Sequence, residues 1–251
     1  MSWYWFVFVC LMVLLAGFVD SIAGGGGLIS LPAYLIAGLP SHQAIATNKL
    51  SSAMGTTIST YSYFRSGFID LKIGIFCIFF AFAGSSLGAN LALLLDDQLF
   101  KLVMLVVLPL TALYLMFPKS LKAEQKELPF GWTVVIACFC AFVIGIYDGF
   151  YGPGTGTFLI ILLTSLAHLS VFRANGLAKL INLSTNYAAL AVYLLNGQVL
   201  FLLGICAGIF NMIGNFLGAA YFKKYGVLSL KPVMFLVIGI FFAKSLLEAF
   251  F

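Results

Sequence analysis

The sequence predicts an all-α polytopic membrane protein with two inverted-topology repeats. Of its 251 residues, 63% are hydrophobic and only 8% are charged, and the mean hydropathy is +1.11. Charged residues make up about a quarter of a soluble domain, so this chain has too few polar side chains to cover a soluble surface. Long apolar segments, and a glycine-rich break that recurs in each half, complete the prediction.

Six segments match the length of a simple spanning helix. About 20 apolar residues are needed to cross the hydrocarbon core of a bilayer. The predicted spans are residues 43–65, 72–94, 98–117, 172–195, 199–221 and 230–250.

Two other regions, residues 3–39 and 130–167, are interrupted by glycines. Each interruption leaves a long apolar arm followed by a short one, residues 28–39 or 157–167. A short arm of about 12 residues rises about 18 Å, whereas the hydrocarbon core is about 30 Å thick. We therefore predict two helical hairpins, partly re-entrant, with turns near mid-membrane, and about eight to ten helical segments in all.

The two halves share their spacings, which predicts an internal duplication. Asp148 follows Asp20 by 128 positions. The pairs that differ by 130 positions are Lys49/Lys179, Gly67/Gly197, Gly84/Gly214, Gly88/Gly218 and Lys101/Lys231. We predict a first repeat over residues 1–117, a linker over 118–129 and a second repeat over 130–251. A hairpin plus three spans in each repeat gives an odd number of crossings, which inverts the second repeat.

The positive-inside rule tests this topology. If the linker is cytoplasmic, the lysines and arginines that fall inside are Arg65, Lys72, Lys119, Lys122, Lys126, Arg173, Lys223, Lys224 and Lys231. Asp96, Asp97 and the Asn196-Gly197-Gln198 turn fall outside, while Lys101 and Lys244 count against the pattern. We expect both termini outside.

Several function classes find no support. The basic residues are scattered over short loops, which argues against nucleic acid as a partner. Cys138 and Cys140 lack CxxC spacing, and only His42 and His168 could add imidazole ligands, so neither a zinc site nor another metal is expected. No set of catalytic residues emerges, and we expect no enzyme activity and no cofactor.

The glycine runs are the first candidate site. No phosphate-loop motif is present, but glycines expose backbone, which lipid tolerates only where protein buries it or a water-filled cavity meets it. The N–H groups that begin the short arms, near Gly27 and Gly156, suit an anion, although the long arms end at the same depth with the opposite dipole. Alternatively, the glycines only allow close packing, as we predict for Gly84/Gly88 and Gly214/Gly218.

Buried charges are the second candidate. Lys49 and Lys179 lie about two turns into spans that enter from opposite faces, and a charge at that depth indicates a function. They either lend positive charge to a central anion site, snorkel to an interface, or pair with Asp20 or Asp148. The two aspartates either cap the short arms or couple transport to protons by gaining and losing one.

These residues define the predicted site. The candidate substrate-binding residues are Gly24, Gly25, Gly26, Gly27, Asn48, Lys49, Gly152, Gly154, Gly156, Lys179 and Asn182. The candidate coupling residues are Asp20 and Asp148. Inverted repeats with interrupted helices are the architecture of secondary transporters, whose sites lie where the repeats meet.

At these residues the chain resembles the sulfite exporter TauE/SafE family, also called the TSUP permeases. In the first half the resemblance rests on the run from Ala16 to Gly27, on Pro32, on Gly38-Leu39-Pro40 and on Ala46-Thr47-Asn48-Lys49-Leu50. In the second half it rests on the run from Gly149 to Gly156, on Ala178-Lys179-Leu180-Ile181-Asn182 and on Asn196-Gly197. The second half lacks an intact glycine run and the Thr-Asn before its lysine.

The resemblance implies a multi-pass transporter of the bacterial cytoplasmic membrane. It implies sulfite, sulfonates and related sulfur-containing organic anions as the usual substrate class, often exported. The expected partners are therefore a small anion and the lipid bilayer, and a homodimer stays open. Proton coupling is one hypothesis for the energy source. An anion channel and a membrane scaffold that does not transport are the alternatives.

Overall fold

The computed structural model describes residues 2–96, 98–99 and 128–226. These residues form eight helices and no strand. The helices are α1 (Trp3–Ala23), α2 (Gly27–Ile36), α3 (Ser41–Arg65), α4 (Leu71–Leu93), α5 (Phe130–Phe150), α6 (Thr155–Ser165), α7 (Val171–Leu195) and α8 (Phe201–Tyr225). The predicted spans 98–117 and 230–250, nearly all of the linker, and Asp97, Lys101, Lys231 and Lys244 lie outside the described residues.

The predicted membrane-protein class is confirmed in the described residues. The spans predicted at 43–65, 72–94, 172–195 and 199–221 are α3, α4, α7 and α8. By length and composition, α1, α4, α5 and α8 could each cross a membrane. Helices α3 and α7 are equally long, at 25 residues each, but carry more polar side chains. Most of those polar side chains are buried against neighbouring helices, as a low-dielectric surrounding requires.

Both predicted helix breaks are present. Helix α1 ends where Gly24 adopts a left-handed conformation, with φ of 75°, and its N–H donates to the Asp20 carbonyl oxygen at 2.8 Å. Helix α5 ends before Gly152 and Gly154, with φ of 101° and 82°. Glycine takes these angles without the strain that a Cβ would add. The short arms, α2 and α6, have 10 and 11 residues, which is about half the length needed to cross the hydrocarbon core.

The halves pack on each other through their small residues. A Cβ on Gly84 or Gly88 of α4 would overlap backbone atoms of α5, and one on Gly214 or Gly218 of α8 would overlap backbone atoms of α1. The prediction that these glycines serve helix packing is confirmed. The helices α4 and α8, which correspond by the 130-residue spacing, therefore each pack on the long hairpin arm of the other half.

The basic side chains gather at one end of the bundle. Arg173 Nη2 lies 2.7 Å from Asp70 Oδ2, which joins the start of α7 to the loop between α3 and α4. The ring of Phe172 contacts that of Phe68 and that of Phe222, which lies near the end of α8. The basic residues at this end are Arg65, Lys72, Arg173, Lys223 and Lys224. At the opposite end, Leu200 N donates to Thr47 Oγ1 at 3.2 Å.

Candidate functional site

Two buried ion pairs join the halves of the chain, and each pairs a lysine of one half with an aspartate of the other. Lys49 Nζ lies 2.6 Å from Asp148 Oδ2, and Lys179 Nζ lies 2.9 Å from Asp20 Oδ2. The lysine and aspartate side chains are 3% and 3% exposed in the first pair, and 0% and 13% in the second. Both lysines are buried and paired, so the alternative in which they snorkel outward is wrong.

Helix register brings these charges together. Lys49 and Lys179 each lie eight residues beyond the first residue of α3 or α7, which is about 12 Å along the helix. Asp20 and Asp148 lie in the last turns of α1 and α5, directly before the two breaks. Each lysine therefore contacts the helix break of the other half. The two lysines do so at the same distance from the start of their own helices.

The aspartates do not cap the short arms. The residues that cap α2 and α6 are Gly26 and Gly154, and neither helix start has a side-chain cap hydrogen bond. The carboxylate of Asp148 instead accepts a hydrogen bond at Oδ1 from Thr155 Oγ1, at 2.8 Å. This contact ties the end of α5 to the first residue of α6. The alternative in which the aspartates cap the short arms is therefore wrong. Each carboxylate instead binds side chains: a lysine of the other half and, for Asp148, also Thr155.

The tips of the two hairpins touch. A Cβ on Gly24 would overlap the backbone of Gly156, and one on Gly156 would lie 2.5 Å from Gly24 Cα. Thr157 Oγ1 donates to the Ala23 carbonyl oxygen at 2.6 Å, and Asn175 Nδ2 donates to the Ile22 carbonyl oxygen at 3.0 Å. These side chains of the second half satisfy carbonyl groups freed at the end of α1, as an apolar surrounding requires.

A small polar cavity lies beside the ion pairs. The predicted site residues that line it are Asp20, Gly24, Gly26, Gly27, Asn48, Lys49, Asp148, Gly152 and Asn182. Its volume is about 30 Å³, and a single water molecule needs about 10–15 Å³ of such space. An oxyanion of several heavy atoms needs more room, so the lining side chains would have to move apart to admit one. Gly25, Gly154, Gly156 and Lys179 are not among the lining residues.

Other polar residues line the cavity and were not among the predicted ligands. They are Ser30, Ser52, Thr155, Asn186 and Asn211. Helical spacing could have indicated two of them, because Ser52 lies three residues after Lys49 and Asn186 lies four after Asn182. Asn211 of α8 enters through tertiary packing alone, which no local pattern indicates.

The site is electrically balanced. Two ammonium and two carboxylate groups face each other, so the lysines lend no uncompensated positive charge in this arrangement. Asn48 Oδ1 is a buried acceptor with no hydrogen bond among the described residues. Within the same part of the chain, no three histidine, cysteine or acidic side chains come together as a metal site would need.

These features define an integral membrane protein with a charged centre at two broken helices. The family model described as Sulfite exporter TauE/SafE matches residues 9–245. The chain belongs to this family, and the resemblance to it is confirmed. Family membership makes it a membrane transporter rather than an enzyme.

Curated relatives from bacteria cover most of the chain. A probable membrane transporter protein, ORF9, of Sinorhizobium is 35% identical over 94% of this chain and 90% of its own length. One of Haemophilus influenzae is 33% identical over 93% and 91%. The probable membrane transporter protein YfcA of Escherichia coli is 30% identical over 95% and 88%. No solved structure shows significant similarity to the chain.

Proposed function

We propose that this protein is a secondary transporter of small anions, with sulfite, sulfonates and related sulfur-containing organic acids as its substrate class. The observation that carries the proposal is the pair of buried lysines, each held at a helix break, of which Lys49 lines a polar cavity. Ionised side chains at such depth are costly and mark substrate pathways in membrane proteins. The name of the family supports the sulfur oxyanion class.

We propose that the halves are inverted repeats. Corresponding residues make corresponding contacts: Tyr63 OH donates to the Ser21 carbonyl oxygen at 2.7 Å, and Tyr193 OH donates to the Gly149 carbonyl oxygen at 3.1 Å. The ion pairs also support a repeat, because the lysine of each half binds the aspartate of the other half. Such symmetry provides two equivalent conformations, open to one side or the other, by rocking of the halves.

The small cavity favours a carrier over a pore. In the described part of the chain the cavity has a volume of about 30 Å³, and the end of α1 contacts the start of α6 at Gly24 and Gly156. A carrier binds its substrate, closes and reopens, and its rate therefore saturates. We also propose that the protein spans the bacterial cytoplasmic membrane several times, with the basic end in the cytoplasm, and that it commonly exports its substrate.

Flux measurement tests the proposal. Purified protein in liposomes that contain sulfite or a sulfonate should show saturable exchange of labelled substrate. Vesicles without protein measure passive leak. Equal flux in both preparations, for every sulfur oxyanion tried, would overturn the proposal. Large currents that do not saturate would identify a channel instead.

A further inference from the structure

The two ion pairs occupy corresponding positions but have different surroundings. We propose that they have different tasks. Lys49 exchanges Asp148 for the substrate anion while Asp148 takes up one proton, and the Lys179–Asp20 pair stays closed and holds the break after α1. The inference rests on the proposed function as an anion transporter.

Access to the cavity separates the pairs. Lys49 and Asp148 both line it, whereas Lys179 does not and its side chain is fully covered. A substrate for which this cavity widens therefore meets the ammonium group of Lys49 directly. Reaching Lys179 would require removal of the α1 tip.

Hydrogen bonding separates them as well. Lys179 Nζ donates to the carboxylate and to the backbone carbonyl oxygen of Asp20, so it clamps the last turn of α1. Lys49 Nζ has one hydrogen bond within the described residues, to Asp148 Oδ2. An ammonium group can donate three. Lys49 thus keeps donors for a ligand, whereas Lys179 uses two on protein atoms.

Neutral polar groups surround Lys49 on the cavity side. Asn48 precedes it and has a buried Oδ1 that lacks a hydrogen bond among the described residues. Asn182 and Asn186 of α7 line the same space and are joined by a hydrogen bond of 3.3 Å. The amide groups of these asparagines provide N–H donors that suit the oxygen atoms of a sulfonate or sulfite.

Charge balance links substrate binding to a proton. A buried charge that loses its partner is strongly destabilising, so the closed site favours a net charge of zero. The empty site meets this condition with the Lys49 ammonium and the Asp148 carboxylate. With a monovalent anion on Lys49, it is met when a proton from solution forms an O–H bond on Asp148. Release of the anion returns that proton, and no covalent bond to substrate forms.

No other titratable group that lines the cavity in the described part of the chain is available to accept this proton in place of Asp148. Lys49 faces it from α3, and Asp20 of α1 lines the same cavity but is held by Lys179. Tyr193 of α7 uses its hydroxyl group on the Gly149 carbonyl oxygen. The lining residues from α2, α6 and α8 are glycines, Ser30, Thr155 and Asn211, none of which titrates. Anion binding should therefore strengthen as pH falls.

The experiment uses protein in liposomes and a labelled alkanesulfonate, whose charge is constant between about pH 5 and 8. An acidic exterior should drive uptake against the substrate gradient, by about tenfold per pH unit for one proton per anion. Asp148→Asn should retain exchange of substrate at equal pH but lose this accumulation. Asp20→Asn should lower the melting temperature. The matched control is Asp70→Asn, which removes a carboxylate from the exposed ion pair with Arg173, and its accumulation ratio should still follow the pH gradient.

Asp148→Glu should recover accumulation and covers the case in which Asp148→Asn does not fold. The wild type provides an independent measure, because a pH-sensitive dye should report one proton per anion. Full pH-driven accumulation by Asp148→Asn, a melting temperature of Asp20→Asn equal to that of the wild type, or anion uptake without proton movement would overturn the inference. Absence of all flux in the wild type would instead refute the proposed function.

Discussion

Gly24 of the first half and Gly156 of the second lie in direct backbone contact, so the tips of the two broken hairpins meet at one point of the fold. The two ion pairs lie beside this contact. The charges at the centre are therefore positioned by both halves together, and neither half could build the site alone.

Gly156→Ala should destabilise the protein. Its added Cβ would lie 2.5 Å from Gly24 Cα, and backbone of this kind cannot move aside cheaply, so the expected loss is about 1–3 kcal/mol. Thermal unfolding of the purified protein measures it. Gly131→Ala is the matched control, because its Cβ has no neighbour within 4 Å. An equal melting temperature for the two variants would contradict the close contact.

Breaking the structural ion pair should cost more than removing it. Lys179→Met leaves the Asp20 carboxylate without its partner, and the expected destabilisation is about 3–5 kcal/mol. The double variant Lys179→Met/Asp20→Leu removes both charges and should recover much of that loss. Chemical denaturation of the three proteins tests this order. A double variant less stable than Lys179→Met would contradict it.

The ion pair at the basic end should contribute little. Arg173 and Asp70 are 36% and 27% exposed, and pairs of this kind contribute about 0–1 kcal/mol. Arg173→Gln should therefore retain the stability and transport rate of the wild type. This variant is the control for the lysine substitutions, because it removes a charge from an exposed ion pair instead of a buried one. Thermal unfolding and a flux measurement test the expectation. A large loss of stability would contradict this expectation, because it would show that the pair contributes more than its exposure indicates.

Cysteine labelling tests the orientation. The cysteines in the described residues are buried, apart from the half-buried Cys206. A Cys206→Ser variant should therefore show little background labelling. Asn196→Cys should react with a membrane-impermeant thiol reagent in intact cells. Lys72→Cys and Lys224→Cys, on corresponding helices of the two halves, should react only after permeabilisation. Labelling of Lys224→Cys in intact cells would contradict a cytoplasmic basic end.

The axial arrangement could be predicted from the sequence. Hydropathy and glycine spacing indicated the described spans, both breaks and the depth of the lysines, because these properties depend on position along a helix. The side of a helix that meets another helix is a different quantity. The pairing of Lys49 with Asp148, rather than with Asp20 of its own half, therefore could not be derived. For the same reason, the sequence did not indicate that Asn211 lines the cavity or that Thr155 binds Asp148.

The most direct test of an anion carrier centred on Lys49 is exchange of a labelled sulfonate by protein in liposomes, with wild type and Lys49→Met compared at equal protein content. The wild type should exchange saturably. Lys49→Met should be at least about 30-fold slower, because it removes the charged partner of a buried ligand. A wild-type flux no greater than that of protein-free vesicles, or an unchanged rate in folded Lys49→Met, would contradict the account.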